Sequence, residues 1–243
     1  MPRTFVIGDI HGADKALSQL IERVAPEKSD TLIFLGDYVD GWSGSAAVIT
    51  RLLALKESFS CFFIKGNHDV WCGDWLAGKN ADDEWLKHGG TSTVQSYAAL
   101  TENEKHLHKT FFNELIDYYI DEDNNLFIHA GFSSMHGPAK EPYATNYTWD
   151  RTLWETALAL NTALPPDHAF FPKRLKLFRE IFIGHTPTIN YGTDLPIHAA
   201  NIWNVDTGAA FTGKITAIDL DSKVFFQSDK VIDLYPGEKG RNI

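Results

Sequence analysis

Thr4-Phe5-Val6-Ile7-Gly8-Asp9-Ile10-His11-Gly12 decides the fold. A run this short and this apolar, closed at once by a polar turn between glycines, reads as a buried strand rather than a helix. Side chains two apart on an extended segment share a side, so Asp9 and His11 converge in front of the strand's carboxyl end. A carboxylate beside an imidazole suits a borderline divalent ion, and the flanking glycines allow the sharp turn. Open α/β sheets place their sites at this edge, outside the carboxyl ends of their strands.

The same form recurs twice. Residues 31–35 run into Gly36-Asp37-Tyr38-Val39-Asp40, and residues 61–64 lead to Gly66-Asn67-His68-Asp69. Between the three runs, residues 13–24 place Leu17, Leu20, Ile21 and Val24 on one helical face. Residues 45–55 do the same with Val48, Ile49, Leu52, Leu53 and Leu55. The pattern is β-α-β-α-β. It brings Asp37 to the same edge as Asp9, where its two oxygens are able to bridge ions about 3.5 to 4 Å apart, the spacing used for in-line displacement at phosphorus. Asn67 adds a neutral amide oxygen, and His68 an imidazole that need not bind metal.

Residues 70–119 change to a Trp-rich, charged text with helices predicted over 82–87, 93–99 and 102–116, an inserted helical layer. Strands are predicted again at 125–129, 181–183, 202–205, 215–220 and 223–227, the last two joined as a hairpin through Asp221-Ser222. Two of these carry familiar ends: Phe127-Ile128-His129-Ala130-Gly131 and Phe182-Ile183-Gly184-His185-Thr186. Each motif alone is explained by turn chemistry, which calls for glycine and a short polar residue. Turn chemistry gives no reason for histidine at 11, 68, 129 and 185.

The 243 residues are 44% hydrophobic and 22% charged, an ordinary globular mixture able to bury a sizeable core. A net charge of −10 argues against nucleic acid or an anionic membrane as partner, and clustered carboxylates make sense once cations sit among them. Cys61 and Cys72 are too few for a disulfide framework and point to a reducing compartment. No leader or membrane span is visible, so the expected location is cytoplasmic. No repeat or linker divides the chain. One domain is expected over 1–234, followed by a polar, poorly ordered tail over 235–243.

Taken together, the five motifs resemble those of the calcineurin-like metallophosphoesterases, within them the phosphoprotein phosphatases, and in particular the smaller bacterial and phage-type members. The resemblance covers most of the chain. Asn204-Val205-Asp206-Thr207-Gly208 followed by Gly213-Lys214-Ile215-Thr216-Ala217 also resembles the final strands of bacterial phosphatases and of symmetrical dinucleoside tetraphosphate hydrolases. It implies an α/β fold, a four-layer α-β-β-α sandwich with a helical cap insertion at about residues 70–120. It further implies two divalent ions, Mn2+ with Fe or Zn as alternatives, one held by Asp9, His11 and Asp37, the other by Asp37, Asn67, His129 and His185. His68, oriented by Asp40, would protonate the leaving-group oxygen while a hydroxide shared by the cations attacks phosphorus.

The implied activity is phosphomonoester hydrolysis, on phosphoserine or phosphothreonine of a protein substrate or on small aryl phosphates. Symmetrical dinucleoside tetraphosphate hydrolysis is the rival activity. A non-catalytic protein that binds metal or a phosphorylated partner is the rival of another class, and retention of His68 and Asp40 beside all six ligands speaks against it. About oligomeric partners the sequence says nothing.

The departures from the family concern the grip on substrate. Asp40 is followed by Gly41-Trp42 where the family has Arg-Gly, so a phosphate-gripping arginine is missing there. Arg151, in Trp149-Asp150-Arg151, is the candidate phosphate ligand, with Asp150 able instead to cap a helix over 151–160. Asn67 is expected to touch substrate as well as metal. Of Trp42, Trp71, Trp75 and Trp85, Trp42 is the first candidate for a pocket wall, the ordinary alternative being closure of a core between helices. The motif at His129 reads His-Ala-Gly, and Asp69 stands where Glu is usual. His88, His106, His108, His136, His168 and His198 are expected mostly on surface and loops, and the charged stretch 79–87 on a solvated helix face.

Overall fold

In the computed structural model, which describes residues 2–242, the strands are β1 (Thr4–Ile7), β2 (Thr31–Phe34), β3 (Ser60–Phe63), β4 (Tyr118–Ile120), β5 (Leu126–Ile128), β6 (Ile181–Ile183), β7 (Ile197–Ala199), β8 (Ile202–Asn204), β9 (Thr216–Asp219) and β10 (Phe225–Gln227). They form two mixed five-stranded sheets, ordered β10-β9-β1-β2-β3 and β4-β5-β6-β8-β7. In the first, β1 pairs parallel with β2 and β2 with β3, while β9 closes antiparallel on β1. In the second, β5, β6 and β8 run parallel.

Alternation along these strands sorts the apolar side chains into three cores. Val6, Ile33, Phe127, Phe182 and Ile218 fill the space between the sheets. Their neighbours Phe5, Ile7, Leu32 and Phe34 face the other way, onto helices α1 (Asp14–Val24) and α2 (Ser45–Ser58). On the far side Leu126, Ile128, Ile181 and Ile183 pack with Leu153, Trp154 and Ala157. Helix, sheet, sheet and helix are therefore stacked as four layers, as expected from the sequence.

The inserted layer differs in detail. Helix α3 (Asn67–Leu76) begins within the third motif, so Asn67 and His68 occupy a helical first turn where a plain turn was expected. Residues 82–87 shorten to α4 (Asp83–Trp85), capped by the Asp82 carboxylate, and lead through a widened turn to α5 (Thr91–Ser96). Helix α6 (Glu102–Asn113) starts at a reciprocal cap between Thr101 and Glu104. The sequence pattern did not resolve β4 or β7, three-residue strands at the edges of the second sheet. The β9–β10 hairpin forms, but not through a two-residue turn. Its reversal spans residues 220–224, with Lys223 left-handed at φ 60 and the Asp219 carboxylate accepting the Asp221 and Ser222 amides.

The tail, apart from Ile243, which lies outside the described residues, packs on the body of the chain. Tyr235 is buried against Trp42, ring centroids 5.3 Å apart, and its hydroxyl accepts the Lys15 amide at 3.0 Å. Glu238 takes the Ser43 amide and hydroxyl, and the Arg241 amide donates to Ala210 at 2.8 Å. Among the remaining histidines, His108 is buried rather than on the surface, set between Thr50 and Tyr97. Its burial pushes it down to about 4. Among the described residues no helix is long and apolar enough to cross a membrane.

Candidate active site

The turns after β1, β2, β3, β5 and β6 meet at one edge of the two sheets and carry all six expected ligand side chains, each buried. Asp37 Oδ2 lies centrally, 3.6 Å from His11 Nε2 and 3.4 Å from His129 Nε2, and Asp9 Oδ2 is 3.7 Å from His11 Nε2. Asn67 Oδ1 approaches His129 Nε2 at 3.3 Å and His185 Nδ1 at 3.0 Å. Two groups emerge with donor atoms within 4.8 Å of one another, His11 with Asp37 and His68, and Asp37 with His129 and His185. Asp37 is common to both.

The donor set fits a pair of cations. His129 Nδ1 donates to the Leu35 carbonyl at 2.8 Å and His11 Nδ1 to that of Asp40 at 3.1 Å, which leaves the Nε2 lone pairs of both facing Asp37. His185 Nε2 is buried with no hydrogen-bond partner. Most contacts among the six are too long for good hydrogen bonds but suit atoms around a shared ion. Charge tells the same story. Burial lowers His129, but the Asp37 carboxylate outweighs it and carries the imidazole up to about 10, so a proton occupies the place a cation would take. Burial raises Asp37, yet His129 and His68 hold it well below the usual carboxylate range. Burial, against the pull of His129, pushes Asp9 up to about 7.

The local backbone is shaped for this convergence. Of the eight described non-glycine residues with positive φ, His11, Asp37, Asp40 and His185 are four. That strain is concentrated where side chains must be aimed inward. A Cβ on Gly184 would collide with the Asp9 carboxylate, and one on Gly66 with that of Asp37. Asp69 ties two of the turns together, its carboxylate accepting the amides of Asp37, Tyr38 and Gly66 at 2.8 to 2.9 Å.

His68 stands beside the ligands with Nδ1 2.6 Å from Asp40 Oδ2. Burial lowers the imidazole, against the charges of Asp37 and Asp40. Asp40 is fully buried and held by the inserted layer: Trp85 Nε1 donates to Oδ2 at 2.7 Å and the Thr93 hydroxyl to Oδ1 at 2.6 Å. Thr93 was not anticipated as part of the site, and Trp85 only as a cap aromatic. The available signal was that a Trp buried in a charged stretch must find an acceptor for its N–H.

A cavity of about 330 Å³ opens over His11, Asp37, Asn67 and His68. Arg151 reaches it, donating to the Thr186 hydroxyl at 2.8 Å, while Asp150 caps helix α7 (Thr152–Leu158) through the Thr152 and Leu153 amides. Capping and site placement thus fall on neighbouring residues. Trp71 and the half-exposed Trp149 form its aromatic rim, edge to face at 5.4 Å, with Trp149 also against His185. Trp42 does not line the cavity: it is wholly buried, its Nε1 donating to Ala209 at 2.7 Å and its ring covered by Tyr235. An indole that finds both an acceptor and a stacking partner inside the core gains nothing by turning outward. Asp206 and Arg241, neither anticipated, do line the cavity. Burial and the charge of Asp9 push Asp206 up to about 8.

Residues 2–209 match a family model described as calcineurin-like phosphoesterase. Among curated relatives, an asymmetrical bis(5'-nucleosyl)-tetraphosphatase PrpE of Geobacillus thermodenitrificans is 27% identical over 228 residues, spanning 88% of each chain. Among solved structures, a protein provisionally assigned as a diadenosine tetraphosphatase aligns with TM-score 0.62 at 17% identity, covering 93% of this chain and 95% of that one. A Saccharomyces cerevisiae serine/threonine phosphatase similar to human PP5 aligns with TM-score 0.62 at 16% identity, over 99% and 83%. At those identities the two structures speak for the fold alone.

Proposed function

The chain belongs to the calcineurin-like phosphoesterase family, and from that premise we propose a two-metal hydrolase of dinucleoside polyphosphates with His68 as the proton donor. The observation that carries it is the His68–Asp40 pair, 2.6 Å apart, with His68 next to His11 and Asp37 in one of two donor groups that share Asp37. In this proposal Asp9, His11 and Asp37 would hold one divalent ion and Asp37, Asn67, His129 and His185 the other. Such a pair would supply activation of water near neutral pH and neutralisation of phosphoryl oxygens. The chain's own residues supply the rest. Asp40 fixes the His68 ring and favours its protonated form, and His68 passes that proton to the departing oxygen. Arg151 binds a phosphoryl oxygen from the side of His185.

Substrate choice is argued from what the cavity offers beyond a single phosphate. A rim of half-exposed Trp149 beside partly buried Trp71, together with two arginines, suits a chain of phosphates ending in a base, and the curated relatives are named as bis(5'-nucleosyl)-tetraphosphatases. Phosphoserine and phosphothreonine esters, the first expectation from sequence, need the same metal-side chemistry and form the comparison. With Mn2+ supplied, diadenosine tetraphosphate is expected to be cleaved with a higher kcat/KM than a phosphopeptide. Asymmetrical cleavage would release ATP and AMP, symmetrical cleavage two ADP; by analogy with the relatives ATP and AMP are expected. Preference for the phosphopeptide would return the assignment to a protein phosphatase. Mn2+ as the native ion and a cytoplasmic site, with Cys61 and Cys72 both unpaired, belong to the same proposal.

A further inference from the structure

Gly41 has φ +117, and a Cβ placed there would lie 3.3 Å from Arg241 Cγ and 3.4 Å from the His11 carbonyl oxygen. The stem of Arg241 therefore crosses residue 41, and Arg241 lines the cavity shared by His11, Asp37, His68 and Phe211, with its guanidinium over the Phe211 ring. Several anchors hold it there. The Arg241 amide donates to Ala210 at 2.8 Å, Gly240 lies so close to the buried Trp42 ring that a Cβ would overlap it, and Tyr235 packs tilted against the same ring.

What the guanidinium meets is informative. It lies 5.4 Å over the Phe211 ring, and among the described residues no carboxylate pairs with it at ion-pair distance and no protein acceptor takes its N–H groups. A planar cation held by its stem against glycine and an aromatic face, donors free, beside groups that gather phosphoryl oxygens, has the form of an anion grip. Arg151 approaches the Asp37, His129 and His185 group from the other side, through Thr186 and the His185 carbonyl.

We propose that Arg241 is a phosphate-binding residue of this site, delivered by the C-terminal segment to the place where Asp40 is followed by glycine instead of arginine. Glycine at 41 is then a requirement: any side chain there would meet the arginine stem on a backbone that favours glycine. The inference rests on the phosphoesterase reading above, and its test can fail separately. Arg241→Gln keeps most of the stem and removes the charge. With Mn2+ loaded and Mn2+ affinity checked, calorimetry with inorganic phosphate is expected to show at least about tenfold weaker binding for Arg241→Gln. Partial recovery is expected in Arg241→Lys and no change in Lys239→Gln, which removes an exposed charge on the same segment. Unchanged phosphate affinity in folded Arg241→Gln, or a loss in Arg241→Lys as large, would overturn the proposal. Absence of ester hydrolysis by the wild-type protein would sink the function, while the phosphate titration would still decide the role of Arg241.

Discussion

As the proposed proton donor, His68 needs a ring that is fixed yet not consumed by metal. Its amide donates to Asp37 Oδ1 at 3.0 Å, so the residue is placed by the same carboxylate that both donor groups share. Its ring is held at Nδ1 by Asp40 and packed edge to face between His11 and Trp71 at 5.0 and 5.1 Å. Nε2 is left for a leaving group. Asparagine at 68 preserves the amide and much of the volume but donates no mobile proton. Under the proposed role, His68→Asn lowers kcat about 100-fold or more, most for esters with basic leaving groups, while Mn2+ occupancy stays near wild type. Metal analysis of the purified variant beside turnover of a leaving-group series checks this. Loss of metal in step with activity would make His68 a ligand, as its place in the first donor group allows.

At the scale of elements, the sheets were legible and their contacts with the inserted layer were not. Short, continuous apolar runs closed by polar turns announced β1, β2, β5 and β6, because a strand buried on both faces has few ways to be written. The five turns followed, since glycine and aspartate at strand ends are ordinary turn chemistry but histidine at 11, 68, 129 and 185 is not. Helix α3 was hidden because Gly66-Asn67-His68-Asp69 reads as a turn, and only the fold shows the Asp69 carboxylate accepting the Gly66 amide at 2.8 Å at the helix start. Contacts from α4 and α5 to Asp40 join residues 45 and 53 positions apart, a distance no periodicity reports. Trp42 was drawn toward the pocket for the same reason, its partners Ala209 and Tyr235 being remote in sequence. The inserted layer therefore acts on the site through Asp40, which gives a test of connection. Trp85→Phe leaves a buried carboxylate one donor short, costing about 1–3 kcal/mol of stability and lowering kcat. If its kinetic effect passes through His68, it should vanish in the His68→Asn background, as measured by a double-mutant cycle in kcat. Multiplicative losses would mean that Trp85 acts by some other route.

For the whole molecule, the site is a concentration of charge that folding has to tolerate without cations, and its protons show how. Burial pushes Asp9 up to about 7 and Asp206 up to about 8, and Asp37 overcomes burial to hold His129 up at about 10. In the unfolded chain these groups titrate at ordinary aspartate and histidine values, so above about pH 6.5 only the native state still binds their protons. A raised folded value contributes stability that is complete below the unfolded value and lost as pH rises through the folded one. Burial lowers His11, His68 and His185, which works in the opposite sense, but that contribution is already complete once unfolded histidine is neutral. Between pH 7 and 8.5 the metal-free protein should therefore lose stability, on the order of 1–2 kcal/mol per pH unit for one proton released. Under the proposed ligand set, cations at Asp9 and His129 would displace those same protons, so binding would strengthen over the window in which the free protein weakens. Thermal melting with chelator and with excess Mn2+ at pH 6.5, 7.5 and 8.5 should show the two curves diverging as pH rises. Parallel curves would mean that the ions bind away from Asp9 and His129, and would count against the six-residue centre itself.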